Sequence, residues 1–203
     1  MPKSYSKFTI EDLNNIGIEV VEAPLFVGQA ITPVVPTDYL NITLERNARR
    51  KLRSEKAKSE FIISPILADL EEKSKGTFAC FSGYQFNVDV KLGLRGFCDY
   101  IFSLKSDAVV IEAPVFCVVE AKNDNLDEGM AQCIAEMYAA QIFNERKKRP
   151  TESIYGVVTF GFEWKFVLLR QKKATIDTNI YYLNQLPQIL GIMEFIIVNA
   201  ANH

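Results

Sequence analysis

The stretches RGFCDYIF (residues 95–102) and PVFCVVEAK (residues 114–122) decide the fold. Both are apolar, aromatic or β-branched runs of strand length, yet Asp99, Glu120 and Lys122 stand inside them. Ionised groups in such runs are costly unless they are paired or hold a metal. The segment KSDAV between the runs is turn material, so the two read as an antiparallel hairpin. Residues equidistant from its midpoint face one another, and Asp99 and Glu120 share a midpoint at Val109 and Val110. Side chains alternate along a strand, so Glu120 and Lys122 point to one side. The three groups therefore converge.

Working outward, GYQFNVDVK (residues 83–91) alternates strictly, with Tyr84, Phe86, Val88 and Val90 on one face, and reads as a strand with one wet side. Residues 126–146 are rich in good helix formers, and Ala131, Ala135 and Ala139 form a small-residue stripe that lets this helix lie close on a sheet. IYGVVTF and EWKFVLLR follow as strands, with Trp164 on an apolar face beside Phe166 and Leu168. A helix from about 186 to 199 closes the chain. Upstream, residues 38 to about 72 read as helical, with Leu40, Leu44, Ala48 and Leu52 at spacings of four, and Pro65 divides the apolar part. Residues 1–36 read as an irregular arm punctuated by Pro24, Pro33 and Pro36. This order predicts an α/β fold around a mixed five-stranded sheet flanked by helices. It forms one domain: arm and basic helix at 1–58, core at 59–170, C-terminal helix at 171–203.

Composition narrows the chemistry. The chain has 203 residues, 48% of them hydrophobic, with 23 Lys plus Arg against 25 Asp plus Glu, so its overall charge advertises no polyanion partner. Its one histidine, His203, is a solvated tail residue in this reading, which removes histidine general acid–base chemistry. Cys80, Cys98, Cys117 and Cys133 form no CxxC pair and read as buried reduced thiols. No Gly-rich phosphate loop is present. MPKSYSKFTIEDL lacks an apolar signal core and ILGIMEFIIVNAA is too short for a bilayer, so a soluble, cytoplasmic protein without a membrane partner is expected. Chemistry is left to carboxylates, Lys, Gln and a borrowed cation.

Two neighbouring carboxylates attract a hard divalent cation, Mg²⁺ or Mn²⁺, which keeps water and phosphate oxygens as further ligands. An ammonium beside them orients an attacking water or neutralises charge on phosphorus. A bare [DE]xK is a weak signal, since it recurs at Asp89 to Lys91 and Glu163 to Lys165, among other places. Only Glu120 to Lys122 ends a continuous apolar run and follows a second strand bearing its own Asp. At these residues the sequence resembles the restriction-endonuclease-like PD-(D/E)XK nucleases, with GFCDY and VVEAK in the places of the family's two motif strands. The wording is most similar to the N-terminal nuclease domain of type I restriction motor subunits. Cys98 stands where that pattern has Pro. The resemblance, over about residues 59–170, implies a restriction-endonuclease-like core and Mg²⁺-dependent cleavage of DNA. Asp99, Glu120 and the Ala121 carbonyl would be metal ligands and Lys122 would position the water. It further implies roles for Glu60 in the first core helix and Gln132 in the helix after the third strand. Its alternative is a catalytically silent member that binds nucleic acid or a protein partner as a regulator.

The run ERNARRKLRSEKAKSE sets Arg46, Arg49, Arg50, Arg53 and Lys56, with Lys51 and Lys58, just ahead of Glu60. It reads either as a solvated helix face or as a grip on backbone phosphates. Lys147, Lys148, Arg149, Arg170, Lys172 and Lys173 are candidates to extend it. A homodimer cutting both strands and a subunit of a larger machine are the two assemblies considered.

Overall fold

The structure, a computed structural model, describes residues 3–202; His203 lies outside them. The chain forms helix α1 (Ile10–Asn15), strand β1 (Glu19–Ala23), helices α2 (Asp38–Ala48) and α3 (Glu55–Lys58), a π-helical turn at Ser59–Ile63, and helix α4 (Ser64–Lys73). Strands β2 (Ala79–Gln85), β3 (Phe97–Ser103) and β4 (Val115–Ala121) lead into helix α5 (Asp127–Arg146). After it come β5 (Ser153–Thr159), β6 (Glu163–Arg170), β7 (Lys173–Asp177), β8 (Tyr181–Tyr182) and helix α6 (Leu186–Ala201).

The strands make one mixed sheet in the order β1-β7-β6-β5-β4-β3-β2, with β8 also on β6. Strands β4 and β5 run parallel, as do β1 and β7, and the remaining pairs are antiparallel. The α/β class and the flanking helices agree with the sequence reading. The strand count does not: among the described residues there are eight rather than five. Strands β1 and β7 carry Glu19, Glu22, Lys173 and Asp177 and are five residues each, so neither shows the alternation of a strand. Residues 3–23 thus hold helical turns and a strand, only 24–36 are irregular, and residues 171–202 hold two strands as well as a helix.

All seven residues of β4 are buried, because α5 covers one face of the sheet and α4 with α6 cover the other. A strand enclosed on both faces reads as an unbroken apolar run. Ala131, Ala135 and Ala139 are buried where α5 meets the sheet. The close approach also needs Gly156 of β5, where an added Cβ would come within 2.4 Å of Met137 Sδ. Trp164 is fully buried and donates its indole N–H to the Gly161 carbonyl at 3.0 Å. The four thiols are free, with Cys98, Cys117 and Cys133 buried and Cys80 half-buried. Among the described residues no helix is long and apolar enough to cross a membrane.

Two sequence-based expectations are displaced. Strand β2 covers Ala79–Gln85 and not residues 83–91. The Asp89 carboxylate accepts from the Lys91 and Leu92 N–H groups, and this local turn folds the chain back so that Asp89 bridges Leu94. The second displacement is in the basic run, which is not one helix. Pro65 has no N–H to give the Phe61 carbonyl four residues earlier. Asn47 supplies that donor instead, its Nδ2 bonding Phe61 O at 2.8 Å while its Oδ1 accepts from Arg50 Nε at 3.0 Å. The Arg50 guanidinium lies 4.3 Å from the Phe61 ring centroid. Helix α2 therefore stops at Ala48, and Ser54 caps α3 by accepting from the Ala57 N–H.

Asn47→Ala is expected to destabilise the protein by about 1 kcal/mol, the loss from orphaning a part-buried carbonyl, and by less in a Pro65→Ala background, where residue 65 regains a donor. Urea unfolding of the four proteins checks this, and strictly additive effects would count against it.

Candidate active site

Tyr100 pairs with Val119 and Ile101 with Val118 across the β3–β4 hairpin. Continued one step, this register sets Asp99 level with Glu120, as expected from the shared midpoint. Asp99 Oδ2 accepts the Ala121 N–H at 2.7 Å, which fixes the carboxylate at the end of the strand pair. Glu120 is only 2% exposed, and its Oε1 is 2.5 Å from Lys122 Nζ. The same ammonium donates to Gln132 Oε1 at 3.2 Å, and Gln132 Nε2 donates to Glu136 Oε1 at 3.0 Å. Gln132 and Glu136 are one turn apart on α5 and face the hairpin together. Helix and strand can come this close because position 129 has no side chain: a Cβ there would lie 3.0 Å from Lys122 Cγ and 2.6 Å from Val158 Cγ1.

Asp99, Glu120, Ala121, Lys122 and Gln132 are thus brought together. Glu60 is not part of this cluster. Its side chain is about half exposed and paired with Lys56 at 3.3 Å, at the rim of a cavity of about 340 Å³ that Asp99, Tyr100, Ala121 and Ser59 also line. Glu55, which no sequence motif singled out, lines the same cavity and lies close enough for its charge to act on Lys122. The Tyr100 hydroxyl and Ser59 Oγ are 2.6 Å apart and tie the π-helical turn to β3. Such turns within helices often mark functional sites.

The electrostatics are those of crowded carboxyl groups. Burial raises the pKa of Asp99, opposed by the Ala121 N–H and by Lys122. Burial also raises that of Glu120, and the Asp99 charge pushes the same way, against Lys122. Glu136 is held well above its ordinary 4.5, chiefly by burial and then by Glu120. Burial pulls the Lys122 ammonium down, yet Glu120, Glu55 and Asp99 together raise it above 10.5. One cation therefore balances several acids, and the Glu120 and Glu136 carboxyls, each with a buried Oε2 that no N–H group of the described residues meets, lie close enough to share a hydrogen bond when one of them is protonated. Among the described residues no three His, Cys, Asp or Glu side chains form a ready metal cage; the site offers a carboxylate pair with polar oxygens to spare. Glu136 could have been found from sequence only as an acid one turn beyond Gln132.

The basic run is divided in its surroundings. Arg46, Arg49 and Arg53 are exposed and have no ion pair among the described residues. Arg50 is held by Asn47 and Phe61, and Lys56 by Glu60. Lys58, expected on the same face, is buried. Lys147, Lys148 and Arg149 follow the far end of α5, about 30 Å from its start at 1.5 Å per residue. Arg170 and Lys173 flank the Ser153 end of β5, opposite the Thr159 end that pairs with Ala121. None of these extends the surface beside the site.

Comparison with protein families, with curated proteins and with solved structures returns no match for this chain.

Glu136 keeps its proton in the native protein at pH values where the unfolded chain has lost it. Its contribution to stability is whole below 4.5 and declines as pH rises toward the elevated native value. Glu136→Gln is therefore expected to gain on the wild type as pH rises from 4 to 8. Denaturant unfolding across that range checks the sign, and a constant difference would refute it.

Proposed function

We propose that this chain is a Mg²⁺- or Mn²⁺-dependent nuclease that hydrolyses phosphodiester bonds of DNA on a restriction-endonuclease-like core. The observation that carries this reading is Asp99 level with Glu120, with Lys122 hydrogen-bonded to Glu120. The order of helix, three antiparallel strands, helix and parallel strand supports it. A cation fits the donor set, since Glu120 keeps Oε2 free of any N–H donor, Asp99 commits Oδ2 to the Ala121 N–H, and like charges this close repel without one. Asp99, Glu120 and the Ala121 carbonyl would hold it, and it would withdraw charge from the phosphoryl group.

Lys122 positions the water. An ammonium has three donors; Glu120 and Gln132 take two, and the third is left for the attacking oxygen. Gln132 also ties Lys122 to Glu136, so the ammonium cannot swing away. Glu55 joins Glu60 as an acid that assists from the helical side, because it lines the same cavity and its field reaches Lys122 and Asp99. A catalytically silent regulator that binds nucleic acid or a protein remains the competing reading, favoured by how nearly sealed Glu120 is. Three buried free thiols suit a cytoplasmic setting, where the chain would act as a homodimer on both strands or within a larger machine.

Purified protein is expected to nick plasmid with Mg²⁺ or Mn²⁺ and to stop on Lys122→Ala. Calorimetry should show weaker Mn²⁺ binding in an Asp99→Asn, Glu120→Gln double variant. Binding of metal and duplex without cleavage would select the regulator, and equal Mn²⁺ affinity in both proteins would remove the metal site.

Of the basic run, Arg46, Arg49, Lys51 and Arg53 are exposed and without an ion pair among the described residues, and the three arginines are the strongest phosphate donors among them. Replacing all three by Gln should flatten the log–log salt dependence of duplex binding by about 0.9 per lost contact, with Mn²⁺ affinity unchanged. An unaltered slope in a fluorescent-duplex titration would retire this surface.

A further inference from the structure

Lys58 stands in the most basic part of the sequence and yet is only 6% exposed. Its ammonium donates to the Asn123 carbonyl and, at 2.7 Å, to Asp124 Oδ1, and lies 5.4 Å from the Phe160 ring centroid. Asn123 directly follows Lys122, whose N–H bonds the Thr159 carbonyl at 2.8 Å. The side chain therefore grips the exits of β4 and β5 at once, immediately beyond Lys122 and Thr159. On its own helix it lies one turn from Glu55, on the same face.

We infer that Lys58 is a positioning residue, a buried clamp that fixes the turn after Lys122 against the helix carrying Glu55. The inference rests on the hydrolase reading of that site. A buried ammonium whose only carboxylate partner among the described residues, Asp124, has a side chain 75% exposed is a poor stabiliser. Because Asp124 stands largely in water, replacing Lys58 alone strands no buried charge, and an apolar side chain of the same length costs little stability. What the ammonium supplies is direction: it ties one carbonyl and one carboxylate of the turn to a fixed point on α3. Lys122 then keeps its distance to Glu120 and Gln132 while substrate is in the cavity.

The test separates holding the fold from holding the site. Lys58→Met keeps the stem and removes the charge. It is expected to unfold at nearly the same urea concentration, with unchanged KM and Mn²⁺ affinity, yet with kcat lower by about 10–100-fold, the usual loss when a partner behind a site residue is removed. Hydrogen exchange at the amides of residues 122–126 should quicken by about tenfold or more. Asp124→Asn, at an exposed position that cannot unfold the protein, should quicken the same amides to a smaller degree. An unchanged kcat in an active protein overturns the inference, as does a kcat loss matched by a loss of stability. If the wild type proves inert, the hydrolase reading fails separately, and the exchange experiment alone decides the clamp: unchanged protection in both variants overturns it, and quickened exchange sustains it.

Discussion

The pairing of β3 with β4 in one register is the constraint on which the site depends. A slip of one residue would turn every side chain of β4 to the opposite face, sending Glu120 away from α5 and leaving Lys122 without Gln132. The register is held because β4 is buried on both faces and none of its seven residues can be exposed at small cost. The Ala121 N–H then finds Asp99 Oδ2 rather than a backbone acceptor on β3. The antiparallel ladder thus ends on the carboxylate that the site uses.

That arrangement is expensive by ordinary rules of burial. Glu120 and Glu136 are both sealed in the core, with Asp99 and Glu55 near the same ammonium. An apolar replacement of such a set is often neutral or stabilising. The protein lessens the conflict by chaining the groups: Lys122 to Glu120, Lys122 to Gln132, Gln132 to Glu136. Glu136, at the end of the chain, is pushed toward the neutral form by burial and by the Glu120 charge. The bare positions at 129 and 156 permit this only because they let α5 descend onto β4 and β5.

The centre of this fold is plain in the sequence and its margins are not. The level placement of Asp99 and Glu120 follows from counting across one hairpin. The buried face of Trp164 and the alanine stripe of α5 follow from periodicity. Strands β1 and β7 escape because their charges and shortness match a loop, and their strand character arises only from pairing with each other and with β6. The break in the basic helix is equally hidden, since ARRKLRSEK holds no Pro or Gly. It is set from outside by Asn47 answering a carbonyl that Pro65 leaves open. Glu55 and Lys58 look like two more charges on a solvated run, and only that break turns them toward the site.

The parallel pairing of β1 with β7 also bears on how the chain is born. Glu19 leaves the ribosome long before its partner Lys173, and at 5–20 residues per second the wait is roughly 8–30 seconds. Residues 79–170, by contrast, can assemble their hairpin and crossover from one contiguous stretch. Strand β1 must therefore remain unpaired in solution while the rest takes shape. A five-residue segment with acids at positions 19 and 22 is suited to that delay, because charge on a waiting strand discourages it from pairing with another chain. The same acids that conceal β1 from pattern reading protect it until its neighbour arrives.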